Sequence, residues 1–302
     1  MLRTLKASEW FPSDGFPIAI ERREPQPEFP AHKHEFSEIV LITGGECLHV
    51  VGRESWPLSA GDVFVIGGTQ GHVYRDLKQL RLINILFQPE KLQLGLGDLQ
   101  RLPGYHALFS LEPAWRRRHD FKSRLRLKPR EMAAVIALVD QMDAELRERD
   151  AGFGFLTTAL FMQIVVYLSR CYEQARDADS RHLLQIAKAI THLESSADST
   201  VNLDQLASIA GMSKRSLVRA FHEATGVPPI AYLIQLRVHR AAALLRSSDE
   251  SITDIAFRVG FADSNYFTRQ FTKQYSVSPR RYRLMYAPPR SRQVQKPENT
   301  IP

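Results

Sequence analysis

His32 and His34 stand one residue apart in "FPAHKHEFSEIV", and Glu38 follows four residues after the second histidine. Imidazole nitrogen and carboxylate oxygen are the donors that hold Ni, Fe, Mn or Zn as divalent ions. Metal-binding β-barrels often space their ligands in this way. On a strand, residues i and i+2 share a face, so both rings would enter one cavity together. Without a metal, the same side chains would line a polar pocket whose donors and acceptors suit a hydroxylated small molecule. The spacing leaves both chemistries open.

A second chemistry lies near the C-terminus, where one unit occurs twice. "LASIAGMSKRSLVRAFHEATGVPPIAYL" overlays "ITDIAFRVGFADSNYFTRQFTKQYSVSPRRYR" with Ala207 on Ala256, Gly211 on Gly260 and Met212 on Phe261. One residue further offset, Leu217 falls on Phe267, Phe221 on Phe271, Pro229 on Pro279 and Tyr232 on Tyr282. Each copy reads as two short amphipathic helices joined by a tight turn, the anatomy that projects a second helix into a DNA major groove. Asn202 and Ser213 are the expected caps in the first copy and Ser251 in the second, with Gly211 and Gly260 as the turns. Arg215 and Arg219 flank Leu217 and Val218 on the outward face, and Asn265 and Arg269 take the same places around Phe267. Arginine pairs with guanine and asparagine with adenine in bidentate fashion, so these are candidate base readers. Asp263 suits either a helix cap or an acceptor for cytosine. Lys214, Lys273, Arg280, Arg281 and Arg283 suit phosphate contacts or solvation.

The elements that must position these groups differ along the chain. Residues 16–90 carry short alternating apolar segments bounded by Gly, Pro, Asp and Ser, which predict a β sandwich or small barrel. "SEIVLITGG" and "CLHVVGR" read as separate strands, as do "HVYRDL" and "RLINILFQ". After Pro129, Met132, Val135, Ile136, Val139, Met142 and Leu146 recur at helical spacing, and a second helix is expected over 153–174. "PPIAYLIQLRVHRAAALLRSS" predicts one rigid helix between the two repeat copies, and the rest of the C-terminal part short helical segments.

Charge separates the same two parts. The 302-residue chain has a formal net charge of +7, yet residues 181–302 contain 17 Lys+Arg against 9 Asp+Glu and residues 1–180 contain 23 against 24. A basic C-terminal part attached to a neutral one points to a polyanion partner for the first alone. Cys47 and Cys171 form no pairing or zinc signature and are expected as small buried residues. No signal-length apolar run opens the sequence, and Thr157, Thr158 and Gln163 interrupt its greasiest stretch, so a cytoplasmic protein without a membrane partner is expected.

The last hundred residues closely resemble the DNA-binding domain of AraC-type bacterial transcription regulators, above all in "ITDIAFRVGFADSNYFTRQF" and "SPRRYR". Ser276 departs from that pattern, standing where the family often has glycine and where Gly226 stands in the first copy. The N-terminal part resembles the cupin barrel of many of these regulators. His32, His34, Glu38 and Gly45 fit the first cupin motif and Gly61, His72 and Asn84 the second, although Gly67 and Thr69 replace the preferred Pro and Gly. "WFPSDGFPIAIERREPQPEFPAHKHEFSEIV" and "LPGYHALFSLEP" are similar to the rhamnose-operon regulators in particular.

The resemblance implies a multi-domain β plus all-α chain: a cupin-like effector domain over 1–115, a helical dimerisation and connecting region over 116–180, a double helix-turn-helix domain with its linker helix over 181–286, and a disordered tail over 287–302. It implies a homodimeric, non-enzymatic regulator of a carbohydrate operon that binds promoter DNA and, as an activator, RNA polymerase. A sugar, with L-rhamnose first, would lie against His32, His34, Glu38, His72 and Asn84. No cofactor is certain; His32, His34, Glu38 and His72 could hold a divalent metal. The alternatives are a cupin metalloenzyme, such as a sugar isomerase or dioxygenase, with a DNA-binding appendage, and a constitutive architectural DNA binder.

Overall fold

In the computed structural model, residues 2–67, 71–92, 98–115, 125–175 and 177–286 are described. The N-terminal part is built on β1 (Arg3–Leu5), β2 (Ile18–Arg23), β3 (His32–His34), β4 (Ser37–Val51), β5 (Glu54–Ser59), β6 (Asp62–Ile66), β7 (Val73–Phe87) and β8 (Leu125–Arg126). Six of these form one antiparallel sheet in the order β2-β7-β4-β6-β8, with β5 also paired to β4. β1 runs parallel to β3, and an isolated bridge joins His32 to His72. Val40, Ile42, Phe64, Ile66 and Leu82 form a core with Trp56 and Leu58, while Ile39 and Leu41 on the opposite face of β4 are also fully buried.

The sequence segments expected as separate strands are continuous. β4 runs through Gly44 and Gly45, and β7 runs through Asp76 to Gln79, with register shifts where the two pair. Gly45 has φ 69°, and a Cβ there would lie 2.2 Å from the Gln79 carbonyl oxygen. A glycine that reads as a strand end is here a bulge that lets two long strands bend together.

A four-residue helix α1 (Ala7–Trp10) precedes β2. After the sheet come a 3-10 turn (Leu99–Arg101), α2 (Pro103–Tyr105), a π-helical stretch (His106–Leu111) and α3 (Glu112–Trp115). α4 (Pro129–Glu148) and α5 (Phe153–Glu173) pack on each other, close to their expected limits. α5 is long and apolar enough to cross a membrane, but Phe161, Ile164, Val165, Leu168 and Tyr172 on one face are buried in the protein. Cys47 is buried as expected; Cys171, on α5, is only half-buried.

The C-terminal helices are α6 (Ala178–Ser195), α7 (Leu203–Ala210), α8 (Lys214–Thr225), α9 (Pro229–Ser247), α10 (Ile252–Arg258), α11 (Ser264–Tyr275) and α12 (Pro279–Tyr286). α6 is long where a short segment is expected, and α9 is the single helix expected between the two repeat copies. Contacts divide the chain into two units, residues 1–195 with 202–228, and residues 196–201 with 229–302. In the first, Leu206, Ala207, Leu217 and Phe221 are buried. In the second, α9 contributes Val238, Ala241, Ala242 and Leu245 to a core with Ile255, Phe261, Phe267, Phe271 and Tyr282. Arg237 ties that core to the segment before α7, donating to the Ala197 carbonyl at 2.6 Å and the Ser199 carbonyl at 2.7 Å. Positions 287–302 and Thr69 lie outside the described residues.

Candidate effector recess and recognition helices

β3 places His32 and His34 on one face, as its period of two requires, with ring centroids 6.1 Å apart. The antiparallel bridge to His72 brings a third ring within 4.4 Å of His32 and 5.4 Å of His34. Glu38, at the start of β4, points from the same face as Val40 and Ile42 into the interior, where it is 4% exposed. Its carboxylate lies 3.5 Å from His34 Nε2.

Each of the first two histidines donates Nδ1–H to a backbone carbonyl, His32 to Pro30 at 2.9 Å and His34 to Phe36 at 2.6 Å. A carbonyl only accepts, so in the neutral ring the lone pair is on Nε2. Burial, outweighing these hydrogen bonds, keeps the His34 pKa low at about 4 and lowers that of His32. Burial, with the charge of Glu21 adding to it, pushes the Glu38 carboxyl up to about 8. At neutral pH His32 and His34 are therefore uncharged and Glu38 is mostly protonated.

His32, Glu38 and His72 face a recess with about 510 Å3 of empty space, part of it open to solvent. His32, Glu38, His72 and Asn84 line it as the sequence predicts, together with Glu21, Arg23, Gln26 and Tyr74. Leu5, Trp10, Phe29 and Leu86 supply apolar wall. His34 is not on that wall; its side chain is fully buried beside Glu38. Glu21 and Arg23 were not singled out from sequence, although their alternate positions on β2 were a usable signal. Nothing local marks Trp10, which reaches the site because β1 pairs with β3. Arg23 is paired with Glu21 at 2.9 Å and lies 5.8 Å from the centre of the Trp10 ring.

The recognition helices are capped as the repeat requires. Ser213 Oγ accepts from the Ser216 N–H and Ser251 Oγ from the Asp254 N–H, while Asn202 accepts from the Asp204 N–H. Asp263 is a cap, accepting from the Asn265 N–H at 2.7 Å. Arg215 and Arg219 are exposed on α8 with Val218 half-buried beside them; Asn265, Arg269 and Lys273 are exposed on α11. Arg269 lies over the Tyr266 ring at 5.8 Å. Lys214 is held by Asp204 at 2.8 Å. Arg283, expected as a phosphate or solvent group, instead donates to the Glu250 carbonyl at 2.6 Å and holds α12 to the turn before α10.

Residues 17–164 match the AraC-like ligand binding domain, and residues 206–285 match a helix-turn-helix domain. The HTH-type transcriptional activator RhaR of Mannheimia succiniciproducens is 32% identical over 282 residues, 93% of this chain and 97% of the relative. The chain belongs to the AraC-type family of helix-turn-helix transcriptional activators. The HTH-type transcriptional activator RhaS of Escherichia coli O139:H28 is 34% identical over 281 residues, 92% of this chain and 96% of the relative. A solved AraC-type regulator from Chromobacterium violaceum is 28% identical and covers 35% of this chain and 94% of that one, with a TM-score of 0.33. This regulator thus joins a β-rich ligand-binding domain to a helical domain that binds DNA.

Proposed function

We propose that this regulator activates a carbohydrate-catabolic operon in the cytoplasm in response to an uncharged deoxy sugar, L-rhamnose first, bound in the N-terminal recess. The relation over nearly the full length to the RhaR and RhaS activators carries this reading. The recess supports it independently. Glu21 and Arg23 neutralise each other and Glu38 is mostly protonated, so little net charge faces the ligand. His32, His72, Asn84 and Glu38 offer donors and acceptors to vicinal hydroxyls, while Trp10, Phe29 and Leu86 suit the C–H faces and methyl of a 6-deoxyhexose. The domain limits follow the sequence reading: effector domain over 1–115, connecting helices over 116–180, DNA-binding domain over 181–286.

On DNA, Arg215, Val218 and Arg219 of α8 and Asn265 and Arg269 of α11 read base edges, with Asp263 orienting α11. Lys214 and Lys273 contact phosphate. The active species is a homodimer joined through α5, where Phe155, Ala159, Met162 and Val166 recur on one stripe and Phe155 is 80% exposed. Dimer and promoter together recruit RNA polymerase, and the protein catalyses no reaction. Thermal unfolding against a panel of sugars tests the sensor: a ligand at 100 times its Kd stabilises by about 2.7 kcal/mol. A stereospecific rise with L-rhamnose is expected, and no rise with any sugar would overturn the reading.

A further inference from the structure

We infer that Tyr266 is a positioning residue for DNA reading: its ring holds the Arg269 guanidinium in the pose that reads a guanine, so the second repeat copy discriminates at its arginine more sharply than the first. This role rests on reading α8 and α11 as the base-reading helices. Arginine bonds guanine O6 and N7 together only when its planar fork is aligned with both acceptors. An exposed arginine samples many rotamers, and ordering them on binding costs affinity unless the free protein has already ordered them.

On α11, Tyr266 and Arg269 are three residues apart and therefore neighbours on one helix face. The Arg269 guanidinium carbon stands 5.8 Å from the centre of the Tyr266 ring, within the range of a cation–π contact. The ring is itself fixed. It packs at 6.0 Å, tilted by 59°, against Phe261, the buried plug of the turn before α11. Tyr266 is 37% exposed, so the ring presents Arg269 at the surface instead of drawing it into the core. Asp263, bonded to the Asn265 N–H, fixes the backbone beneath both.

The first copy is built differently at the equivalent positions. Ser216 stands in the place of Tyr266, and its hydroxyl accepts from Ser213 Oγ at 2.9 Å beside the cap of α8. Arg219, in the place of Arg269, has its Nε 4.0 Å from the Glu223 carboxylate, one turn toward the C-terminal end. On α11 that next position is Lys273, which attracts no guanidinium. Arg269 is thus drawn toward the N-terminal end of its helix, where a recognition helix meets base edges, whereas Arg219 is drawn away from it. A guanine that binds Arg219 must compete with Glu223 and order a side chain that no ring holds.

The test uses the full-length chain, with and without L-rhamnose, to select duplexes from a random-sequence DNA pool that is then sequenced. Arg219→Ala and Arg269→Ala mark the base pair that each arginine reads, and the wild type should discriminate more strongly at the Arg269 position. Tyr266→Ala should lower the preference there by about two- to five-fold, the ratio an exposed cation–π contact sustains, and leave the Arg219 position unchanged. Tyr266→Phe, which keeps the ring, should keep the preference. Tyr266→Leu, which fills the place without a π face, should repeat the loss, with unfolding temperature confirming that both it and Tyr266→Ala are folded. Added to Arg269→Ala, Tyr266→Ala should lose nothing further at that position.

An unchanged preference at the Arg269 position in Tyr266→Ala and Tyr266→Leu overturns the role of Tyr266 and leaves α11 as a base-reading helix. A loss spread evenly over all sequences overturns it too, since that is what a damaged helix would give. A wild type that selects no preferred sequence, or an Arg269→Ala chain that keeps every preference, overturns the base reading of α11 and the role of Tyr266 with it.

Discussion

Ser276 closes α11 with φ 59° at the place where Gly226 closes α8 with φ 84°. The two residues occupy equivalent positions in a duplicated unit, and both lie in the left-handed region. Glycine enters that region freely, whereas a residue with a Cβ pays to do so. Ser276→Gly should therefore stabilise the protein by about 0.5–1 kcal/mol, the relieved strain being partly offset by greater freedom of the unfolded chain. Gly226→Ala should destabilise by a similar amount. Urea unfolding of both variants checks the pair; a loss of stability in Ser276→Gly would contradict the strain assigned to it.

Base readers and phosphate contacts should separate in a series of base-substituted operators. Arg219→Ala and Arg269→Ala should each cost about 1–3 kcal/mol at particular base pairs and relax preference there. Lys273→Ala should weaken all sequences alike and reduce the salt slope by about one. Lys214→Ala should do less than Lys273→Ala, because Asp204 already holds the Lys214 ammonium. Uniform losses for both arginines would mean that α8 and α11 present a different face to DNA.

Gly104 sits where α2 meets the backbone of α5, and a Cβ there would lie 1.9 Å from the Ser169 carbonyl oxygen. Gly104→Ala should cost about 3 kcal/mol through forced displacement of packed backbone. Gly67→Ala, with nothing among the described residues within 4 Å of its new Cβ, should change stability by no more than about 0.5 kcal/mol. Thermal unfolding of the two variants side by side provides the comparison.

The α5 stripe makes a prediction about assembly. Phe155→Glu should leave the fold intact, because the side chain is 80% exposed, and shift the protein from dimer to monomer. Sedimentation velocity over a concentration range reads this directly. A dimer of unchanged strength would move the interface away from this face.

The amino-acid order alone carried the duplicated helix-turn-helix, its caps at Asn202, Ser213 and Ser251, and its inward pairs Leu217 with Phe221 and Phe267 with Phe271. Those features are local: a cap bonds a residue two or three positions away, and an inward pair lies one helical turn apart. The HxH spacing likewise told that His32 and His34 share a face, because strand period is a property of a few residues.

Long-range pairing decided the rest. Whether Gly45 ended a strand or bulged within one depended on Gln79, more than thirty residues away, since only the partner strand supplies hydrogen bonds that carry β4 through the bend. The approach of His72 to His34 and Glu38, and of Trp10, Glu21 and Arg23 to the same recess, came from pairings among β1, β2, β3, β4 and β7 that no local pattern encodes. The sequence by itself determined which side chains could bind DNA and which could bind a ligand or an ion. Only the tertiary structure decided which of the latter share one buried space, because burial strips water from Glu38 and His34 and leaves them to be satisfied by one another or by what they bind.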